Sequence, residues 1–259
     1  MIRYIFISVL MAGCLISCWP LEDFSDVPHI SLNKVSFRDS PNSFDTLLLS
    51  IDFQDGDGDL GMDQADIASP PFNDIAFLSY FEDQRRVVRF APDTLNESEQ
   101  YTYFENIITF SRRSLPDLDT LPGFVSPYNC KNWLIGKNSE QLVEDTIYIE
   151  PNRYHNNIYV EFYLQQNDGS YALYDWENIY PYPDCGGGVS YNGKFPRMLE
   201  DPGNERPIEG TLEYRIQGFG FNALFGLKRL KLRCYIFDRA HNMSNIIETS
   251  TFTLAEITE

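Results

Sequence analysis

Helical periodicity is what this chain most lacks. No stretch of its 259 residues repeats apolar side chains at helical spacing for long enough to predict a packed helix or a coiled coil. Basic charge is also scarce. Against 38 Asp and Glu stand only 20 Lys and Arg, a net charge of −18. That balance argues against nucleic acid as a partner and against an electrostatic hold on an anionic surface. Histidine occurs three times, at His29, His155 and His241, far apart and without metal-motif neighbours. The five cysteines show no CxxC or mixed His/Cys spacing, so nothing supports a zinc site. No serine sits in a nucleophile-elbow glycine pattern, and Cys185-Gly186-Gly187-Gly188 lacks the Lys and the following helix of a phosphate loop. Glu161 or Glu177 as a glycosidase acid has no motif behind it. A hydrolase of unrecognised type would need a pocket gathering carboxylates from several loops. The chain reads as non-enzymatic.

What the sequence does have is alternation. Leu47, Leu49, Ile51 and Phe53 alternate with polar residues, as do Ile158 to Leu164, Leu212 to Ile216 and Leu230 to Ile236. Each pattern predicts a half-buried strand. Ile30 and Leu32 change parity with Val35 and Phe37, which predicts a bulge. Ile75 to Phe81 and Val87 to Phe90 read as hairpin partners. Asn167-Asp168-Gly169-Ser170 has the chemistry of a hairpin turn, with Tyr171 to Trp176 as the returning strand. Asn222 to Gly226 reads as one helical turn, and Ile246 to Leu254 as the closing strand. Many short strands with turn residues between them predict an all-β fold, an antiparallel β-sandwich. We expect one domain over residues 29–259, with a long irregular insertion around 91–144 and a loop-rich segment at 177–209.

The strand that ends at Phe53 runs into Gln54-Asp55-Gly56-Asp57-Gly58-Asp59-Leu60-Gly61. Carboxylates at every second position, separated by glycine, cannot form a core. They suit a turn or a hard cation with oxygen ligands. Counting EF-hand ligand positions from Asp55 gives Asp55, Asp57, Asp59, Gly61 through its carbonyl, Asp63 and Asp66. Two features depart from an EF-hand: position six is Leu60 with glycine displaced to 61, and a strand precedes the loop. Two readings stay open, an Asp-rich Ca2+ loop on a β scaffold and a solvated turn whose carboxylates cap backbone N–H groups.

The N-terminus has one cationic residue, Arg3, then an apolar run and small residues, as in a secretory signal too short to span a membrane. Leu15-Ile16-Ser17-Cys18 resembles the lipobox of bacterial lipoproteins. The resemblance implies a signal over residues 1–17, acylation (palmitate among the acyl chains) at Cys18 and membrane attachment through that lipid. Residues 18–28 then form an acidic tether similar to the surface-export signal of Bacteroidetes lipoproteins. In an oxidising compartment one disulfide is plausible, and Cys130 with Cys185, both in loop-like sequence, are its candidates. Cys234 lies in an alternating strand and reads as a buried free thiol.

A second resemblance concerns the end of the chain. Asp238-Arg239-Ala240-His241-Asn242-Met243-Ser244-Asn245, between two strands, is similar to the last hairpin of bacterial immunoglobulin-like domains, with His241 where glycine is usual. Phe53 to Gly61 resembles an early loop in a group of uncharacterised Bacteroidetes surface lipoproteins. Together these imply an immunoglobulin-like lipoprotein of the outer membrane and cell surface, and no known activity. Asp238 either approaches the Asp loop from a shared end of the domain or makes a local Asx turn. Thr94 and Thr120, each after Asp in loop sequence, resemble an O-glycosylation sequon of the same phylum. Aromatics make up 15% of the chain, either as core or as a platform. For a platform, Tyr171, Tyr174, Trp176, Tyr180 and Tyr182 are the stacking candidates for a glycan. The expected partners are the membrane, through the lipid, and an envelope protein complex or a glycan.

Overall fold

The computed structural model describes residues 24–40, 43–68, 71–72, 77–82, 85–90, 133–137, 143–150, 152–176, 190–199, 206–218 and 220–259. In chain order the strands are β1 (His29–Arg38), β2 (Asp45–Asp55), β3 (Phe77–Glu82), β4 (Arg85–Phe90), β5 (Trp133–Lys137) and β6 (Val143–Glu150). They continue with β7 (Ile158–Gln165), β8 (Tyr171–Leu173), β9 (Ile208–Gly218), β10 (Leu230–Ile236) and β11 (Ile247–Glu248). Two short helices, α1 (Gln64–Ile67) and α2 (Phe221–Phe225), follow β2 and β9. Among the described residues no helix is long and apolar enough to cross a membrane. The architecture is all-β, and among the described residues the strands pair antiparallel, with one isolated parallel bridge from Phe37 to Thr258.

The strands form three sheets, ordered β1-β2-β9, β11-β10-β7-β8 and β4-β3-β6-β5. The first two share one hydrophobic core. Leu47, Leu49, Ile51 and Phe53 of β2 and Leu212 and Ile216 of β9 supply one side. Ile158, Val160, Phe162 and Leu164 of β7 and Leu230, Leu232, Cys234 and Ile236 of β10 supply the other. Each is buried, and each large apolar side chain so placed stabilises the fold by about 1.5–3 kcal/mol relative to exposure. The period-two pattern makes this possible, since it sends all the apolar residues of a strand to one face. The parity change in β1 is a register shift against β2 between Leu32 and Lys34.

Three segments depart from the sequence pattern. β8 ends at Leu173, and Trp176 turns back into the core, edge-on to Phe162, Tyr191 and Phe225. Burying so large an aromatic outweighs extending a short edge strand. The closing strand is only Ile247–Glu248, followed by an isolated bridge from Leu230 to Phe252 and a 3-10 turn over Leu254–Ile257. A capping box opens that turn: the Thr253 N–H donates to Glu256 Oε2 at 2.7 Å. β5 lies inside the stretch expected to be irregular. Its contiguous Trp133-Leu134-Ile135 has no alternation to announce a strand, yet it pairs along β6.

Candidate metal centre

The same alternation that builds the core also builds this site. On β2 the inward-facing series Leu47, Leu49, Ile51, Phe53 reaches Asp55 as its next member, and Asp55 is 0% exposed. On β10 the series Leu230, Leu232, Cys234, Ile236 reaches Asp238, just past the strand, 1% exposed. The two strands belong to different sheets that face one core. Each inward series therefore ends on a buried carboxylate, and the two meet at one end of the core.

Beyond Asp55 the chain curls. Gly58 and Gly61 adopt φ of 72° and 92°, the left-handed region that favours glycine. Both also meet other backbone: a Cβ at Gly58 would collide with the Arg206 carbonyl, and one at Gly61 with the Pro196 carbonyl. The curl brings carboxylate oxygens of Asp55, Asp57 and Asp59 within 4.8 Å of one another. The hairpin after β10 sits on this loop, where the Ala240 N–H donates to Asp59 Oδ2 at 2.8 Å. Asp238 Oδ1 meanwhile accepts from the Asn242 N–H at 2.7 Å, closing its own turn. The local Asx turn and the approach to the Asp loop thus occur together.

Donors are missing where the charge is densest. Among the described residues, both oxygens of Asp55, Oδ1 of Asp59 and Oδ2 of Asp238 are buried without a hydrogen-bond partner. Burial, and then the carboxylates of Asp57, Asp59 and Asp238, push Asp55 up to about 7. The nearby Asp59 backbone N–H lowers it only in part and falls outside hydrogen-bond geometry. Asp238 is raised to about 6, by burial first and then by Asp59. Asp59 is raised by burial and by Asp57, and the Ala240 N–H and the Arg239 charge only partly offset this. A buried polar group left unpaired is costly, and several like charges in one place compound the cost. A hard divalent cation with oxygen ligands answers both deficits. Ca2+ binds oxygens at 2.3–2.6 Å, so opposed ligands stand roughly 5 Å apart, the scale of this cluster. The donor set therefore fits Ca2+.

The rest of the expected ligand set lies elsewhere. Asp63 is the N-cap of α1, and its Oδ1 accepts from the Ala65 and Asp66 N–H groups, each at 2.8 Å. Asp66 returns the bond to the Asp63 N–H and takes Arg197 in a forked pair, at 2.7 and 2.8 Å from Nη2. A short helix begins where an EF-hand loop would keep curling, so these two carboxylates are spent on capping and on Arg197. Gly61 serves through its conformation. Asp238, 183 residues from Asp55 in sequence, lies outside EF-hand counting altogether. Its signal was parity: continuing the period of two past Ile236 lands on it, as continuing past Phe53 lands on Asp55.

Of the ring platform, Trp176 is core and Tyr171 is half-buried, donating from its hydroxyl to Thr251 Oγ1 at 3.0 Å. Tyr174 packs edge-on to Trp176 and Phe225, and it lines an open cleft of about 230 Å³ with Tyr159, Glu161, Asp175 and Tyr191. Tyr180 and Tyr182, Cys18, Cys130 and Cys185, and Thr94 and Thr120 lie outside the described residues. Cys234 is a buried free thiol, its pKa pushed up to about 12 by burial. Glu161 accepts from the Tyr163 hydroxyl at 3.0 Å on a strand face, beside Arg233. His241 does occupy a position that favours glycine, with φ of 69°, stacked on Tyr154 at 4.0 Å. No protein-family model, characterised protein or solved structure matches the chain.

Proposed function

We propose that this chain is a non-enzymatic, lipid-anchored surface protein of a bacterial outer membrane, an immunoglobulin-like β-sandwich with one end organised by Ca2+. It acts as a binding or accessory subunit of an envelope complex. Two antiparallel sheets around one core support the sandwich, and the apolar run ending at Cys18 supports the anchor. The observation that carries the reading of the site is Asp55: fully buried, unpaired at both oxygens and surrounded by carboxylates.

Thermal unfolding of the mature chain, with Ca2+ or with chelator, tests the cation. An upward shift with Ca2+ that Asp57→Ala abolishes supports it. Equal unfolding temperatures in wild type would make the loop an acidic turn only. Mass spectrometry of the protein from its native membrane tests the anchor: an acylated N-terminal Cys18, lost in Cys18→Ser, is expected, and an unmodified N-terminus would refute it. A second reading, a glycan-binding module, draws on the cleft beside Tyr174. Polysaccharide binding that is lost in Tyr174→Ala would favour it.

A further inference from the structure

The cation reading, on which this inference rests, leaves open what the site does for the fold. We propose that Asp238 is a ligand of the same ion, which makes the site a staple between the two sheets that share the core. Asp55, Asp57 and Asp59 come from the end of β2 and its loop, in the β1-β2-β9 sheet. Asp238 comes from the end of β10, in the β11-β10-β7-β8 sheet. Hydrogen bonding between strands joins neighbours within a sheet, and an ion held from both sheets adds a strong directional link across the core.

Asp238 is available for this role. It is 1% exposed, and only Oδ1 is used, by the Asn242 N–H; Oδ2 is buried and unpartnered. Its carboxylate is close enough to Asp55 and Asp59 for the charges to act on one another. The Ala240 contact to Asp59 fixes the hairpin on the loop. A second contact fixes it to β1: Asn245 pairs with Ile30, its Oδ1 accepting from the N–H at 2.7 Å and its Nδ2 donating to the carbonyl at 2.8 Å. Asp55, Asp57 and Asp59 each bring one oxygen into the 4.8 Å cluster; the free Oδ2 of Asp238 would add a fourth residue from the other sheet, and water would complete the six to eight ligands Ca2+ takes. Asp63, although nearer in sequence, does not contribute.

Calorimetric titration of Ca2+ into the chelator-stripped mature chain decides this, with wild type, Asp57→Asn, Asp238→Asn and Asp63→Asn compared. Asn keeps the oxygen that accepts from Asn242, so the turn survives while the charge and one ligand are lost. The expected result is a loss of affinity of at least roughly tenfold in Asp238→Asn, and less than about twofold in Asp63→Asn, because ligand charge sets affinity at such sites. Wild-type affinity in Asp238→Asn, with binding lost in Asp57→Asn, would overturn the staple and leave the cation site standing. No binding in wild type would overturn both. Should Asp238→Asn fail to fold, hydrogen exchange of wild-type amides 239–245 decides instead: slower exchange with Ca2+ is expected, and no change overturns the staple.

Discussion

Strand β2 carries a buried inward-facing aspartate at each end, and the two are treated in opposite ways. Asp45, 4% exposed, accepts from the Ser40 N–H through Oδ1 at 3.1 Å and from the Asn222 N–H through Oδ2 at 3.4 Å. At the other end Asp55, 0% exposed, has no donor for either oxygen and three carboxylates for neighbours. One end is closed by loop backbone, so its carboxylate is a structural acceptor. The other is closed by loops that bring more negative charge. A buried carboxylate whose donors come from its own chain needs nothing further, whereas one whose chain supplies only like charge calls for a ligand. A milder form of the contrast recurs between Asp59, whose Oδ2 takes the Ala240 N–H while Oδ1 is left unpartnered, and Asp63 and Asp66, which have helix N–H groups and Arg197.

The largest effect is expected from removing the proposed ion. If Ca2+ at a hundredfold excess over its dissociation constant stabilises by about 2.7 kcal/mol, chelation lowers the melting temperature by roughly 5–10 °C for a domain of this size. Asp57→Ala should abolish that shift, as differential scanning calorimetry can check, while Asp45→Ala should keep it.

Asp55→Asn sharpens the contrast through a change of sign. Without metal, above about pH 7 where Asp55 is ionised, it removes a buried unpaired charge and should stabilise the protein by about 1–3 kcal/mol; with Ca2+ it should be less stable than wild type. Asp45→Ala instead strands two backbone donors and should cost about 1–3 kcal/mol with or without metal. Urea unfolding of both variants, with Ca2+ and with chelator, separates the two behaviours.

The pH response follows from the raised carboxyls. Asp55 and Asp238 hold protons in the folded state up to about 7 and about 6, while the unfolded chain loses them near the ordinary value of 3.8. Between these limits these two groups bind more protons in the folded state, so their contribution to metal-free stability should fall as pH rises from about 4 to about 7. Saturating Ca2+ should remove that fall. Melting curves of metal-free wild type and Asp55→Asn across this range check it: the advantage of Asp55→Asn over wild type should grow as pH rises, and a constant difference would contradict the assignment. The smallest effect is expected of Asp63→Ala, about 1 kcal/mol from the lost helix cap, with the Ca2+ response unchanged.

Much of the fold was legible because β strands announce themselves by alternation. The patterns at Leu47–Phe53, Ile158–Leu164 and Leu230–Ile236 correspond to β2, β7 and β10, and the parity change in β1 to its register shift. β5 was not legible, because a contiguous apolar run carries no period. Trp176 was misplaced because its partners Phe221 and Phe225 lie far along the chain. In the site, the three alternating aspartates were legible as a group. Spacing also reached Asp63 and Asp66, which the structure places on a helix cap and on Arg197, contacts that local counting does not register. Asp238 was legible only as one of two outcomes, since its place depends on how two sheets face each other.

We propose that a cation completes the unsatisfied carboxylate cluster around Asp55. Ca2+ titration of the metal-free mature protein near pH 6, in two buffers of different ionisation enthalpy, measures binding and proton release together. One Ca2+ per chain is expected, with protons expelled from Asp55 and Asp238 as it binds, so that the apparent heat differs between buffers. Absence of any saturable heat, or binding with no proton release, would contradict it.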